Sequence, residues 1–329
     1  MGTPNIVPEL KRLLDAAYKR EDDKLIEALE KIAVKFEKVK EPGIAEKIRL
    51  ESVRNQQKRR MGQLVRMPSN KGMDMASIYT PIECQQKAKR LILNDMNKRV
   101  VNELIEIIRV KEEFEQHEVP LPNKVVMLGP PGTGKTLTAY YIAYMLDLPL
   151  VTVRLESIID SHMGETASNL RKIFDYSKQM PCVLFLDEFD AIARDRGTAN
   201  DMKELARVVN TLLQCLDDFD SESIVIAATN LGEQIDKAVW RRFDTRMTYA
   251  MPSVEERSQH LHLLLGDNLD EAVVIQDVAQ VFSDCSYADI EQVIFKAKRK
   301  AIMQKVELTT KQIQLAFDEY KAINEMESL

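Results

Sequence analysis

The chain has 329 residues, 45% hydrophobic and 30% charged, with only 11 glycines and 12 prolines. This excludes a largely disordered or collagen-like chain and leaves room for two or three domains. A formal charge of -6 gives no net attraction for nucleic acid.

Cys84, Cys182, Cys215 and Cys285 have no C-x-x-C spacing, so neither a zinc site nor a disulfide framework is indicated. The opening MGTPNIVPEL lacks a charged segment followed by an apolar one, and Ile6 stands where a myristoylation motif needs Ser or Thr. No apolar run is long enough to span a bilayer. The expectation is a soluble, cytoplasmic protein without a membrane partner.

The first sixty residues read as short amphipathic helices. Leu10, Leu13, Leu14 and Ala17 share one face after Pro8, and Leu25, Leu29, Ile32 and Phe36 share another. Pro42-Gly43 breaks the pattern, and a weaker helix carries Ile44 and Ile48. Residues 1–57 are expected to form a helical bundle, either a stabilising appendage or a partner-docking module. Residues 58–80 read as a linker with a basic start, Lys58-Arg59-Arg60. From Pro81 one long helical pattern runs through Leu91, Leu93, Val100, Leu104 and Ile108.

The periodicity then changes. Val125–Leu128, Val183–Leu186 and Ile224–Ala227 are short apolar runs separated by helical stretches. Such runs suit buried parallel strands, so an α/β fold with a doubly wound parallel sheet is expected. After Pro252 the chain is helical again, opened by a capping box at Ser253-Val-Glu-Glu256.

"GPPGTGKT", Gly129 to Thr136, follows the first apolar run and precedes a helix carrying Ala139, Ile142, Ala143 and Leu146. It satisfies G-x-x-x-x-G-K-[ST]. Gly132 and Gly134 let backbone N–H groups face phosphate oxygens, and the helix N-terminus favours the same anion. Lys135 reaches the β- and γ-phosphates and Thr136 ligates Mg²⁺. The second strand ends in Asp187-Glu188. Buried carboxylates need a partner, and a phosphate-bound Mg²⁺ supplies one for Asp187, while Glu188 suits a general base on water. Asn230 ends the third strand and reads either as a turn-former or as a hydrogen-bonding group for the γ-phosphate and the lytic water. Arg241 and Arg242 follow a helical stretch. They read as a basic helix end or as guanidinium groups for the transferring phosphate, worth ~10³–10⁵ in rate.

The order GPPGTGKT, VLFLDEFD, AATN, RRFD resembles an AAA ATPase of the AAA+ superfamily, and "SYADIEQVIFKAKRKAI" and "LTTKQIQLAF" are similar to its lid. The likeness spans Val125 to Phe317. It implies a P-loop NTPase large domain over 81–252 and an all-α lid over 253–329. It also implies ATP with Mg²⁺ held by Thr136 and Asp187. Nucleotide contacts would come from Gly129, Pro130, Pro131, Gly132, Thr133, Gly134, Lys135, Thr136, Leu137, Asp187 and Ala288. Catalysis would fall to Glu188, Asn230 and Lys135, with Arg241 and Arg242 as arginine fingers acting on a neighbouring subunit. Tyr287 stands where the family pattern has Gly, and no residue is assigned to the adenine. A homo-oligomeric ring, usually a hexamer, follows from fingers that act in trans. His162-Met163-Gly164 occupies the place of an aromatic–hydrophobic–Gly pore loop.

The layout also resembles a bacterial single-module subgroup often encoded beside subtilisin-like proteases. Two functions follow: a remodeller or translocator of a protein substrate, or a regulatory switch on a partner enzyme such as a serine protease. A nucleic-acid machine is disfavoured by the acidic balance.

Overall fold

A computed structural model of the chain describes residues 8–12, 22–38, 44, 76–155, 166–192, 199–219, 222–230, 237–266 and 273–327. They divide into two compact units, Met1–Gly72 and Met73–Leu329. Leu13, Leu14, Ala17, Ile48, most of the expected linker and the loop His162-Met163-Gly164 lie outside the described residues.

In the first unit, helix α1 (Asp22–Lys38) contains the expected second stripe. Ala28, Ile32 and Ala33 are buried, a spacing that shares one helix face. The Lys35 ammonium donates to Glu9 Oε2 at 2.6 Å, joining this helix to the helical residues 8–12.

The second unit is built on a six-stranded sheet: β1 (Ala76–Tyr79), β2 (Lys124–Leu128), β3 (Leu150–Arg154), β4 (Val183–Asp187), β5 (Ile224–Thr229) and β6 (Thr245–Thr248). The order is β1-β3-β4-β5-β2-β6, with only β1 antiparallel. The three apolar runs are β2, β4 and β5, and every residue of β5 is buried. That is the signature of strands covered on both faces. Packed against them are α3 (Asp95–Arg109), through Val101, Leu104 and Ile105, and α5 (Lys135–Met145), through Ala139, Ile142 and Ala143. Each fully buried Val, Leu or Ile among these contributes about 1.5–3 kcal/mol.

Two expectations change. The stretch read as a linker to Thr80 ends in β1, which pairs Tyr79 with Leu150. Four residues are too few to show alternation, and the strand is held by tertiary contacts, including Tyr79 edge-on to Tyr140 at 5.2 Å. The single long helix from Pro81 is two: α2 (Pro81–Ala88) and α3. Asn94 is extended, and its side chain accepts from Asn97 N at 2.7 Å, starting α3 anew. Asn97 Nδ2 in turn donates to Thr248 O at 3.0 Å, which docks α3 on β6.

Short helices α4 (Lys111–Gln116) and α8 (Lys237–Trp240) and longer α6 (Thr166–Gln179) and α7 (Ala199–Asp217) complete this layer. Leu170, Ile173 and Phe174 of α6 are buried as their spacing predicts.

Four helices follow: α9 (Val254–Leu265), α10 (Ile275–Val281), α11 (Tyr287–Gln304) and α12 (Thr310–Glu327). The Ser253–Glu256 capping box is present. Leu261, Phe282, Ile290, Val293, Ile294 and Phe317 form their own core. The buried Arg257 donates to the carbonyls of Pro252, Ala279 and Ser283, tying α9 to the residues just before it and to the end of α10. All four cysteines are buried and free. Burial pushes the Cys84 and Cys182 thiols up to about 12 and Cys285 to about 11.

His260 in α9 is 2% exposed, and burial holds its imidazole below the ordinary value of 6.5. As pH falls the unfolded chain therefore takes up this proton first, and folding weakens from about pH 6.5 downward. The urea midpoint should drop between about pH 7.5 and 5.5, and His260→Gln should remove part of that drop. Equal drops in both proteins would contradict the assignment.

Candidate functional site

The parallel register puts the candidate site at one sheet edge. Leu128 at the end of β2 lies opposite Thr229 at the end of β5, and Leu186 of β4 lies opposite Ala227. Gly129, Asn230 and Asp187-Glu188 therefore leave the sheet side by side. Gly129 N donates to Thr229 O at 3.3 Å. At Gly129 the chain has φ +147°, and a Cβ there would lie 2.2 Å from the Tyr249 carbonyl oxygen. Only glycine passes so close to another backbone.

Lys135 opens α5 and is 8% exposed. Its ammonium donates to Gly129 O and Pro130 O, both at 2.7 Å, and to Asn230 Oδ1 at 2.8 Å. All three ammonium hydrogens are thereby directed. Burial lowers this group to about 8, and the nearby charges of Asp187 and Asp190 oppose that shift. Thr133 is buried and its hydroxyl donates to Pro130 O at 2.8 Å, tightening the loop. Pro131 and Gly132 are exposed, and Gly134, Thr136 and Leu137 are half-buried on the loop and first helical turn.

Burial raises the Asp187 carboxyl, while its Oδ1 accepts from Glu188 N at 2.9 Å. Glu188 has φ +53°, a left-handed conformation uncommon outside glycine. The turn sends the chain from β4 directly into the short helix Phe189–Ile192. Asp190 in that helix is 3% exposed and accepts from Thr229 Oγ1 at 3.3 Å and Asn230 N at 3.4 Å. It thus braces the tip of β5. The sequence reading passed over Asp190, although it ends the quoted stretch VLFLDEFD.

The two adjacent arginines differ. Arg242 donates from Nε to Asp217 Oδ1 at 3.0 Å, from one terminal nitrogen to Asp217 Oδ2 at 3.1 Å and from the other to Ala238 O at 2.7 Å. Arg241 is exposed, and its guanidinium makes no hydrogen bond or ion pair with another described residue. Among the described residues, neither is bonded to the phosphate-loop stretch.

A cavity of about 610 Å³ includes Thr133 of that stretch in its wall. Ile92, Leu93 and Met251 supply apolar surface, and Asn94, Gln259 and Tyr287 supply polar groups and a ring. The lid helix α11 sits against the loop itself. Ala288 N donates to Gly132 O at 3.3 Å, and a Cβ on Gly132 would lie 2.4 Å from Ser286 Oγ. The split between α2 and α3 creates the wall at Ile92–Asn94, which is why a reading of one continuous helix could not find it.

A glycine-rich turn between strand and helix, a buried lysine and carboxylates at a neighbouring strand end are the parts of a nucleotide site. The family model "ATPase family associated with various cellular activities (AAA)" matches residues 125–251. An uncharacterized AAA family ATPase, y4kL, of Sinorhizobium fredii is 37% identical over 230 residues, covering 70% of this chain and 69% of that protein. The chain belongs to the AAA ATPase family. It is an enzyme that hydrolyses ATP. ATP-dependent zinc metalloproteases named FtsH are also similar. That of Bacillus subtilis is 32% identical over 71% of this chain, and that of Cupriavidus metallidurans is 33% identical over 62%. The chain spans 38% and 34% of those two proteins. Among the described residues no helix is long and apolar enough to cross a membrane.

Gly132→Ala would force Ser286 and the start of α11 away from the loop and impose a side chain at φ +73°. The expected result is a loss of about 1–3 kcal/mol in stability together with weaker ADP binding. Denaturant melts and calorimetric titration with ADP check both.

Proposed function

We propose that this AAA ATPase assembles into a ring, with six subunits as the expected number, and uses ATP hydrolysis to remodel or translocate a protein substrate. The observation that carries the catalytic part is the bond from the Lys135 ammonium to Asn230 at the junction of three strand ends. In this reading Gly129 to Leu137 enclose the phosphates, and the backbone N–H groups of Gly132 to Leu137 face the phosphate oxygens. Lys135 exchanges its carbonyl partners for β- and γ-phosphate oxygens, and Asn230, released from it, turns to the γ-phosphate and the attacking water. Glu188 accepts the proton of that water, leaving ADP and phosphate as products.

Mg²⁺ fits the residues present. Among the described residues no group of three or more His, Cys, Asp or Glu could hold a metal. A nucleotide-borne Mg²⁺ needs only one or two carboxylates besides phosphate and water. Asp187 and the Thr136 hydroxyl would hold it, Asp187 being a desolvated carboxylate beside Lys135. Held by these residues, the ion would supply positive charge against the negative charge that develops on the phosphates.

Arg241, exposed, and Arg242, paired with Asp217 beside it, are the two fingers proposed to reach a neighbour's γ-phosphate. Ala288 touches the loop from the lid. His162, Met163 and Gly164 are assigned to the pore loop from their sequence position alone. A protein substrate is supported by the FtsH relatives, whose name joins ATP dependence to a protease. The domain limits proposed are a helical docking region over 1–57, a large domain to 252 and a lid over 253–329, with the sheet edge β1 added to the large domain.

Glu188→Gln should bind ATP, accumulate as a ring by size-exclusion chromatography and lose turnover by ~10³-fold or more. Wild-type turnover would remove Glu188 from its role. Arg241→Ala mixed with Lys135→Ala should recover part of the ATPase activity that each lacks alone, because some junctions then join an intact loop to an intact finger. No recovery in mixed rings of verified composition would refute action in trans.

A further inference from the structure

Tyr249 meets the phosphate loop at both of its ends. It follows β6 directly, and its N–H donates at 2.6 Å to the carbonyl of Leu128, the last residue of β2. Its own carbonyl oxygen lies where a Cβ on Gly129 would have to go. That is the entry of the loop. The side chain reaches the exit. Its hydroxyl donates to Thr138 Oγ1 at 2.8 Å, and Thr138 stands in the first turn of α5 with Lys135. Met127 Sδ, 3.6 Å from the same hydroxyl, is only a weak acceptor.

The hydrogens give this chain of bonds a direction. The Thr138 hydroxyl spends its one hydrogen on Gly134 O at 3.0 Å, so its oxygen accepts from Tyr249. Gly134 O also accepts from Thr138 N at 2.9 Å. Both lone pairs of that carbonyl are therefore occupied. The carbonyl belongs to the Gly134–Lys135 peptide, whose other end is the Lys135 N–H at the start of α5. Gly134 has φ +101°, and without a side chain it offers little resistance to rotation of the peptide. The hydrogen bonds hold the peptide plane instead. Thr138 is wholly buried and Tyr249 is 5% exposed, so water does not replace a lost hydroxyl. Burial also raises the Tyr249 hydroxyl above its ordinary value of 10, which keeps it a donor at neutral pH.

We propose that Tyr249 is a positioning residue for phosphate binding: through Thr138 and Gly134 it fixes the peptide that directs the Lys135 N–H at the anion. Tyr249 acts from behind the loop and contributes no group to the phosphates. The lone glycine at the loop exit thus gains from β6 the rigidity that its own backbone lacks. This rests on the reading of Gly129 to Leu137 as the phosphate-binding stretch, and the test separates the two.

The full chain is titrated with ADP and with inorganic tripolyphosphate, each displacing a fluorescent ADP analogue. Tyr249→Phe removes only the hydroxyl and should weaken both ligands by the same factor, about three- to tenfold. It should raise KM for ATP by a similar factor with kcat within about twofold, the mark of binding lost equally from ground and transition states. Thr138→Val should weaken both ligands at least as much, whereas Thr138→Ser keeps the hydroxyl and should bind like the wild type. Adding Tyr249→Phe to Thr138→Val should cost nothing further, because the two residues act along one line. Thr211→Val in α7 is the control for lost stability alone. It removes a buried hydroxyl that donates to Arg207 O at 2.9 Å, the same kind of bond to the carbonyl four residues back. It should melt lower and leave both affinities unchanged. A folded Tyr249→Phe protein with wild-type affinities overturns the proposal. Weakening of ADP without tripolyphosphate also overturns it, as do full additivity in the double variant and equal weakening in Thr211→Val. Lys135→Ala tests the underlying reading: loss of both ligands supports it, and retention of both overturns it together with this proposal.

Discussion

A single buried ammonium organises this molecule. Lys135 sits at the start of a helix, below a glycine turn and beside the ends of β4 and β5, and it is almost wholly removed from water. Its three hydrogens go to two loop carbonyls and to Asn230, and the carboxylates of Asp187 and Asp190 sustain its charge against burial. The arrangement is tense in a useful sense. Nothing in it is an ideal ion pair, so an anionic oxygen would offer the lysine a better partner than those it has. Everything else in the ATPase unit places this group: the register of the parallel strands, the glycine at 129 that lets β2 pass Tyr249, and the left-handed Glu188 that turns the chain at β4.

The parts of this arrangement governed by local chemistry were legible in the sequence. β2, β4 and β5 are covered on both faces, so each is an unbroken apolar run, and the phosphate-loop spacing reflects how backbone N–H groups must converge on an anion. Three strands escaped notice. β3 and β6 mix polar with apolar residues, as in Thr245-Arg246-Met247-Thr248, and β1 is four residues at an edge. The break between α2 and α3 was hidden because Leu91 and Leu93 continue a helical rhythm that Asn94 interrupts through its own side chain. Asp217 with Arg242, and His260 with Tyr287, are pairs separated by 25 and 27 residues. Such pairs exist only once helices have packed, and no spacing rule announces them.

The C-terminal helical layer bonds directly to the candidate site. Its α11 helix meets the phosphate loop through Ser286 and Ala288 and meets the base of the large domain through Glu291 and Phe295. Arg257 joins α9 to Pro252, the point at which the lid leaves the sheet domain. These helices and the loop are therefore linked by direct bonds at one end, and the Arg257 bond to Pro252 ties them to the sheet at the other. A change in the loop of even a few tenths of an ångström must be absorbed at Gly132 or passed to α11, because packed interfaces shift between discrete arrangements and do not stretch.

The four buried thiols give this enzyme a built-in reporter. Reagents attack the thiolate, and burial suppresses that form, so folded protein should ignore them. Cys182 lies at the root of β4, whereas Cys285 lies just before the lid helix α11. Each becomes reactive only when its own neighbourhood opens. Timed alkylation followed by mass analysis would then yield two separate clocks, one for breathing of the sheet and one for breathing of the lid, with no label engineered into the chain.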